Sequence, residues 1–415
     1  MTTTATAEAA ARATPPISRP VWRRQLPVHS PVSWRALLAG ARAAASDVAA
    51  RRGGDALLSL LTEQYAPSGV VLTDSGTTAL TAAIAGIVRD RPGAAVALPA
   101  FACYDVATAA DGAGLPVLLY DVDPRTLAPD LDSVRTALRA DTAAIVVAHF
   151  YGYPVDLTEV NRLAEESGAL VIEDAAQAAG AMLDTRPAGT QASLSVLSFG
   201  RGKGWTGGGG GALLAFDDSG TPVLEATRGL LAAPRRGWGD LVALAAQSLL
   251  ARPNLYAIPA ALPLGLGETV YRAPRPARRG AAATAAVMAA SWPLAAAEVD
   301  VRRRNAARLL AALQQQAAFE TISPLPRARP GYLRLPTLAS PEIRGTTAAA
   351  RLGVFPSYPR ALCDLPGFTA RCVNRRGAFP GARLLAARLS TLPTHSRLDD
   401  RDLARLEGWI RSAGR

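Results

Sequence analysis

Of the 45 lysines and arginines in this 415-residue chain, one is a lysine, Lys203. It lies in Ser198-Phe199-Gly200-Arg201-Gly202-Lys203-Gly204-Trp205-Thr206, followed by five consecutive glycines, Gly207 to Gly211. Arginine replaces lysine on most solvated surfaces, but not where a neutral amine must form. Guanidinium does not lose its proton in a protein, whereas a buried ammonium does so readily and becomes a nucleophile or Schiff-base former. A lysine kept alone in a glycine-rich loop is therefore a candidate for amine chemistry; the competing reading is a surface lysine that escaped replacement. Three further groups can join it. Ser75-Gly76-Thr77 opens a helical stretch, Thr78 to Ile87, so its backbone N–H groups and hydroxyls sit where a phosphate is favoured. Asp174 ends the apolar run from Leu170, where it can pair with a cationic ring nitrogen, and Ser198 offers another hydroxyl to an anion. Phosphate cradle, carboxylate and amine are together what pyridoxal phosphate requires.

The elements that must position these groups read as an α/β chain. From about residue 55 to 216, short apolar runs alternate with alanine-rich helical stretches: Val96-Ala97-Leu98, Val117 to Tyr120, Ala144 to Ala148, Leu170 to Ile172, Val196-Leu197 and Ala212 to Phe216. Continuous apolar strands separated by helices imply a mostly parallel sheet covered on both faces, and such sheets bind ligands at the carboxyl ends of their strands. Asp174 and His149 both fall at such ends. A strand-end histidine is as readily a hydrogen-bonded core residue as a site residue. The expected organisation is an N-terminal arm over 1–30, a large domain over 31–275 that includes an irregular, apolar connector at 217–275, and a smaller α+β domain over 276–415. In the last of these, a long helix is expected from Ala295, a strand at Tyr332 to Leu335 and a closing helix from Asp399 to Ser412.

Composition narrows the function class. Three scattered cysteines, Cys103, Cys363 and Cys372, are too few for a disulfide framework or a zinc site, and the three histidines are dispersed, so no metal is expected and a reducing cytoplasm is the default location. The first sixteen residues lack the basic and apolar regions of a signal peptide. Net charge is +11, but aromatics are 6% and no nucleic-acid module is visible, so anionic small substrates or a membrane surface suit the charge better than nucleic acid. No run is long, apolar and proline-free enough to be read as a membrane span. Segment 241–267 is apolar enough for a peripheral membrane or subunit contact.

The ordered motifs resemble those of the DegT/DnrJ/EryC1/StrS aminotransferases, fold-type I pyridoxal phosphate enzymes of the aspartate-aminotransferase-like class. The resemblance is carried by Asp74-Ser75-Gly76-Thr77-Thr78-Ala79-Leu80, Leu98-Pro99-Ala100-Phe101, Tyr120-Asp121-Val122-Asp123-Pro124, Ala148-His149-Phe150-Tyr151-Gly152, Ile172-Glu173-Asp174-Ala175-Ala176-Gln177-Ala178 and Ser198-Phe199 with Lys203. It implies that Lys203 bonds the cofactor, that Asp174 pairs with its ring nitrogen, that Gln177 contacts the ring hydroxyl, and that Gly76, Thr77 and Ser198 hold its phosphate. The position that stacks on the ring in many members is Cys103 here, beside Tyr104; either the tyrosine or the thiol would serve. Taken singly, Asp174 would equally make a helix cap, Ser198 a turn, Gln177 a surface amide and Cys103 a small core residue.

The resemblance further implies a homodimer in which a nitrogen is moved from an amino-acid donor, glutamate, to a carbonyl acceptor, a nucleotide-linked keto sugar destined for polysaccharide or glycoside synthesis. Two alternatives stay open: another pyridoxal phosphate reaction such as elimination or dehydration, and a non-catalytic membrane-associated relative. Dehydratase relatives carry histidine at the lysine position, which Lys203 opposes. The chain also departs from the pattern. Where many members use an asparagine to reach the phosphate of the neighbouring subunit, this chain has Ala277-Arg278-Arg279, so Arg278 or Arg279 is expected to replace it. Tyr358-Pro359 is followed by Arg360-Ala361-Leu362-Cys363 and not by Leu-His.

Overall fold

The computed structural model describes residues 23–89, 91–139, 141–256 and 270–413. Most of the N-terminal arm and residues 257–267 of the apolar segment thus lie outside the described residues. Two helices, α1 (Trp34–Ala45) and α2 (Asp47–Tyr65), are capped by Ser33 and Ser46, whose hydroxyls accept backbone N–H groups of the first turn. The alternation that follows is β1 (Gly69–Thr73), α3 (Gly76–Val88), β2 (Ala95–Pro99), α4 (Tyr104–Ala113), β3 (Val117–Tyr120), α5 (Leu131–Ala137), β4 (Thr142–Ala148), α6 (Thr158–Ser167) and β5 (Leu170–Asp174). A two-strand excursion, β6 (Met182–Leu183) and β7 (Arg186–Pro187), precedes β8 (Leu194–Ser198) and β9 (Gly211–Ala215).

Seven of these strands form one sheet in the order β1-β9-β8-β5-β4-β2-β3. All its neighbours are parallel except β9, which runs against both β8 and β1. Strands β2, β4 and β9 are buried along their whole length, as the uninterrupted apolar runs require of a sheet covered on both faces. The carboxyl ends of β1, β5 and β8 therefore share one edge, and this edge carries Asp74-Ser75, Asp174 and Ser198.

After α7 (Gly220–Leu230) and α8 (Trp238–Leu250), a helix of 32 residues, α9 (Ala282–Leu313), packs its first half against α1 and α2. It begins thirteen residues before the expected start at Ala295. Pro293 lies inside it and does not end it. The proline removes one N–H donor, but Ala283 to Met288 and Ser291 are buried against the large sheet's helical layer, and that packing carries the helix through. α9 is long and apolar enough to cross a membrane, yet more than half of its most apolar stretch is buried inside the protein. A second sheet, β10 (Phe319–Thr321), β12 (Leu335–Ala339), β14 (Leu389–Leu392) and β13 (Phe355–Pro356), pairs antiparallel in that order, while the short β11 (Ala328–Arg329) joins β6. The strand expected at 332–335 is thus displaced to Leu335–Ala339, and Tyr332 holds a positive φ of 45° ahead of it. The closing helix is Asp400–Ala413.

Candidate active site

Helix α3 starts directly above the sheet edge. The Ser75 hydroxyl accepts the Thr78 N–H at 3.0 Å, leaving the Gly76 and Thr77 end of the helix open toward the cleft. The approach of this helix end to β8 needs glycine: a Cβ on Gly76 would lie 2.7 Å from the Ser198 Cβ, and one on Gly211 would lie 2.6 Å from the Gly76 nitrogen. Lys203 sits between Gly202 and Gly204, at φ of 83° and 79°, so the loop reverses tightly on both sides of the lysine.

These elements bring Gly76, Thr77, Cys103, Asp174, Gln177, Ser198 and Lys203 to a single cavity. Asp174 ends β5 there. One of its oxygens accepts the Ala176 N–H at 3.0 Å, so the turn-capping reading and the site reading describe the same residue. Burial raises the Asp174 pKa, and the Lys203 ammonium opposes that shift. Cys103 precedes α4 and lines the cavity, while Tyr104 is buried along the outer cleft: its hydroxyl donates to the Arg360 carbonyl at 3.4 Å and its ring lies 6.5 Å from that of Tyr358. Of the two, only Cys103 lines the cavity that holds Asp174 and Ser198, while both line the outer cleft. Burial pushes the Cys103 thiol up to about 12, so it is protonated at neutral pH.

Gln177 is more committed than the sequence suggests. Its Oε1 accepts the Tyr151 N–H at 3.0 Å and its Nε2 donates to the Tyr358 hydroxyl at 2.7 Å. Tyr151 needs this support, because it holds a φ of 57°. The Tyr151 hydroxyl also pairs with the Ser357 hydroxyl, and its ring stacks on Tyr358 with centroids 6.2 Å apart.

His149 resolves toward the core reading. Its Nδ1 accepts the Val155 N–H at 3.0 Å, so the proton sits on Nε2 and is donated to Glu173 at 2.6 Å. Glu173 also accepts the N–H groups of Gly189 and Gln191. This fully buried pair ties β4 to β5 immediately before Asp174.

Arg278 and Arg279 do not line the cavity of their own chain. Their backbone is bound to the start of the cradle, with the Asp74 N–H donating to the Arg278 carbonyl at 3.0 Å, while the Arg278 guanidinium donates to the Ala233 carbonyl at 3.4 Å. Sequence reasoning also passed over the outer cleft, about 350 Å³, where Tyr104, Tyr151, Arg201, Arg272, Arg334 and Tyr358 meet Lys203. Tyr358 was marked by its position before Pro359; nothing in the sequence marked Arg334.

The donor set fits pyridoxal phosphate. A helix N-terminus with a hydroxyl, Ser198, suits the phosphate, and Asp174 suits a protonated ring nitrogen.

Residues 61–228 match the model of the DegT/DnrJ/EryC1/StrS aminotransferase family. The chain is 34% identical over 151 residues to dTDP-4-dehydro-2,3,6-trideoxy-D-glucose 4-aminotransferase of Saccharopolyspora spinosa, 36% of this chain and 39% of that protein. It is 35% identical over 145 residues to L-glutamine:2-deoxy-scyllo-inosose aminotransferase of Streptomyces kanamyceticus, 35% of this chain and 33% of that protein. The matched stretch thus spans between a third and two-fifths of these relatives. The fold extends further: the crystal structure of the sugar aminotransferase CalS13 from Micromonospora echinospora superposes with a TM-score of 0.72 over 93% of this chain and 98% of that one, at 21% identity. The fold is that of the fold-type I pyridoxal phosphate enzymes.

Proposed function

We propose that this chain, whose residues 61–228 match the model of the DegT/DnrJ/EryC1/StrS aminotransferase family, is a pyridoxal phosphate-dependent aminotransferase that moves an amino group from glutamate to a nucleotide-linked keto sugar. The observation that carries the proposal is the convergence of its one lysine with Asp174, Ser198 and the α3 N-terminus in one cavity. Bound there, pyridoxal phosphate supplies a pyridinium ring that withdraws electrons from the carbon bearing the amine. Asp174 would keep the proton on the ring nitrogen, because an anionic carboxylate favours the charged ring. Gly76, Thr77 and Ser198 would hold the phosphate. The Lys203 amine would serve as the base and then the acid that moves the substrate's proton. The Cys103 thiol lines the same cavity, and Tyr104, Tyr151 and Tyr358 wall the cleft outside it.

The keto-sugar acceptor is supported by the arginines and tyrosines of the outer cleft, which suit a diphosphate and a sugar ring. A homodimer is supported by exposed Trp34, Trp238, Val242 and Leu249 on α1 and α8, and by the placement of Arg278 and Arg279 away from their own cavity. Three free cysteines, two of them buried, support a cytoplasmic location. The test is a change in visible absorbance of the holoenzyme on adding glutamate, reversed by one member of a panel of nucleotide keto sugars. A holoenzyme that responds to no amino acid overturns the proposal.

A further inference from the structure

Lys203 is held from both sides by residues that the chemistry above does not use. Gly202 before it rests on Val28: a Cβ at that glycine would lie 3.0 Å from the Val28 Cγ1, and Val28 itself lines the cleft of Lys203. Gly204 after it rests on Arg302 of α9. The Arg302 Nη2 donates to the His29 carbonyl at 3.0 Å and to the Gly204 carbonyl at 3.5 Å, and a Cβ on Gly204 would meet the Arg302 Nη1 at 3.0 Å. Val28 and His29 belong to one strap, residues 23–33, that runs without helix or strand ahead of α1. The strap is tied to the C-terminal part of the chain. The Gln25 N–H donates to the Arg351 carbonyl at 3.0 Å, the His395 Nε2 donates to the Leu26 carbonyl at 2.9 Å, and Arg23 pairs with Asp399 at 3.1 Å and with Asp402.

The place of Arg302 is unfavourable for a guanidinium. Its side chain is fully buried, its Nε and Nη1 have no hydrogen-bond partner, and among the described residues no carboxylate forms an ion pair with it. Glu298, whose charge acts on it, commits one oxygen to the Ser396 N–H at 2.8 Å. Burial lowers the Arg302 pKa to about 10, so the group stays charged at neutral pH. A buried charge without a partner destabilises the fold, and an apolar side chain of similar length would pack there at least as well. What an apolar chain cannot do is donate to two carbonyls at once, one on the strap and one beside the lysine. That bridge matters because Lys203 stands between two glycines of positive φ, which have no side chains to fix the backbone that carries it. The direction of the amine must be imposed from outside the loop.

We propose that Arg302 is a positioning residue for Lys203: it fixes the peptide that carries the amine by bridging Gly204 to the strap, while Val28 supports Gly202 from the other side. The proposal rests on the aminotransferase reading in one respect, that the direction of the amine governs turnover.

The test compares the wild-type holoenzyme with Arg302→Met, Arg302→Lys and Val28→Ala. Three quantities are measured: the rate and half-saturating concentration of the visible absorbance change with glutamate, the thermal midpoint, and amide hydrogen exchange from Gly200 to Trp205. Arg302→Met is expected to slow the glutamate reaction by roughly 10- to 100-fold at little-changed half-saturation, since a small misplacement of a reacting group costs that much in rate. It should keep or raise the thermal midpoint, because a buried unpaired charge is removed, and it should speed exchange at Gly202 to Trp205. Arg302→Lys, which keeps a donor, should recover part of the rate. Val28→Ala should move rate and exchange in the same direction by less. A wild-type rate in Arg302→Met overturns the proposal. So does an Arg302→Met chain that fails to fold, or that melts earlier with unchanged loop exchange, because the residue is then structural only. Failure of the aminotransferase reading shows separately, as a wild type whose absorbance glutamate does not change; exchange and melting then still decide whether Arg302 holds the loop.

Discussion

The cleft has two walls of different origin. One is local: Gly76, Asp174 and Ser198 stand at the carboxyl ends of the parallel strands β1, β5 and β8, with Lys203 in the loop after β8, all within 128 residues of one another and inside the stretch that matches the family. The other is assembled from afar: Arg334 and Tyr358 come from the second sheet's approaches, and Arg272 from the connector, where the Thr108 hydroxyl of α4 holds its carbonyl at 2.8 Å. On the proposed function the first wall holds the groups that would bond, protonate and cradle the cofactor; the second presents charges and rings to the cleft. A chain can keep the first and vary the second, so the reaction type and the substrate are specified by separate parts of the molecule.

The largest expected effect tests the first wall. Lys203→Arg keeps the cation and removes the amine, so bound chromophore and transamination should vanish together. In the wild type, borohydride reduction should fix the cofactor on Lys203 and block trypsin there, giving one modified peptide from Gly202 to Arg228. Label on the α-amino group, or an active Lys203→Arg enzyme, would break the contrast at its root. Next comes Asp174→Asn. It removes the charge that holds the ring proton, and turnover should fall by about three orders of magnitude, roughly 4 kcal/mol, with the fold and much of the cofactor binding retained. Near wild-type turnover would show that the carboxylate has no such role.

A third prediction concerns what ties the two walls together beneath the lysine loop. Arg302 of α9 donates to the carbonyls of His29 and Gly204, and His395 Nε2 donates to the Leu26 carbonyl at 2.9 Å. Burial lowers the His29 pKa to about 3 and the His395 pKa to about 4. A depressed folded-state pKa means the unfolded chain binds the proton first. Stability is therefore full above about 6.5 and is lost as pH falls toward 4, at roughly 1.4 kcal/mol per pH unit for each histidine. Denaturant melts from pH 7 to 5 should show the decline, and His395→Gln should flatten it. The smallest effect is expected at the second wall's border. Arg278→Ala or Arg279→Ala should weaken cofactor retention through the neighbouring subunit by about 1.5–3 kcal/mol, read by dialysis. Retention equal to the parent in both variants would remove these arginines from the site.

What the sequence determined by itself follows from local rules. Alternation of apolar runs with helical stretches specified the mostly parallel sheet, because a strand covered on both faces is apolar along most of its length. Strand ends and a capped helix start then placed Asp174, Ser198, Gly76 and Thr77 on one edge, and the lone lysine marked the chemistry. Tertiary structure alone decided the rest. Pro293 reads as a break, yet α9 continues through it because its flanking residues are buried. Cys103 and Tyr104 read as interchangeable, and only the packing of α4 turned the thiol inward. His149 could be site or core until the Val155 N–H settled its tautomer. Arg334 carries no mark in the sequence, because a guanidinium becomes informative only when the groups around it are known, and those groups lie up to 231 residues away. Periodicity and caps act between neighbours in the chain, whereas burial and charge pairing depend on distances that only the folded chain defines.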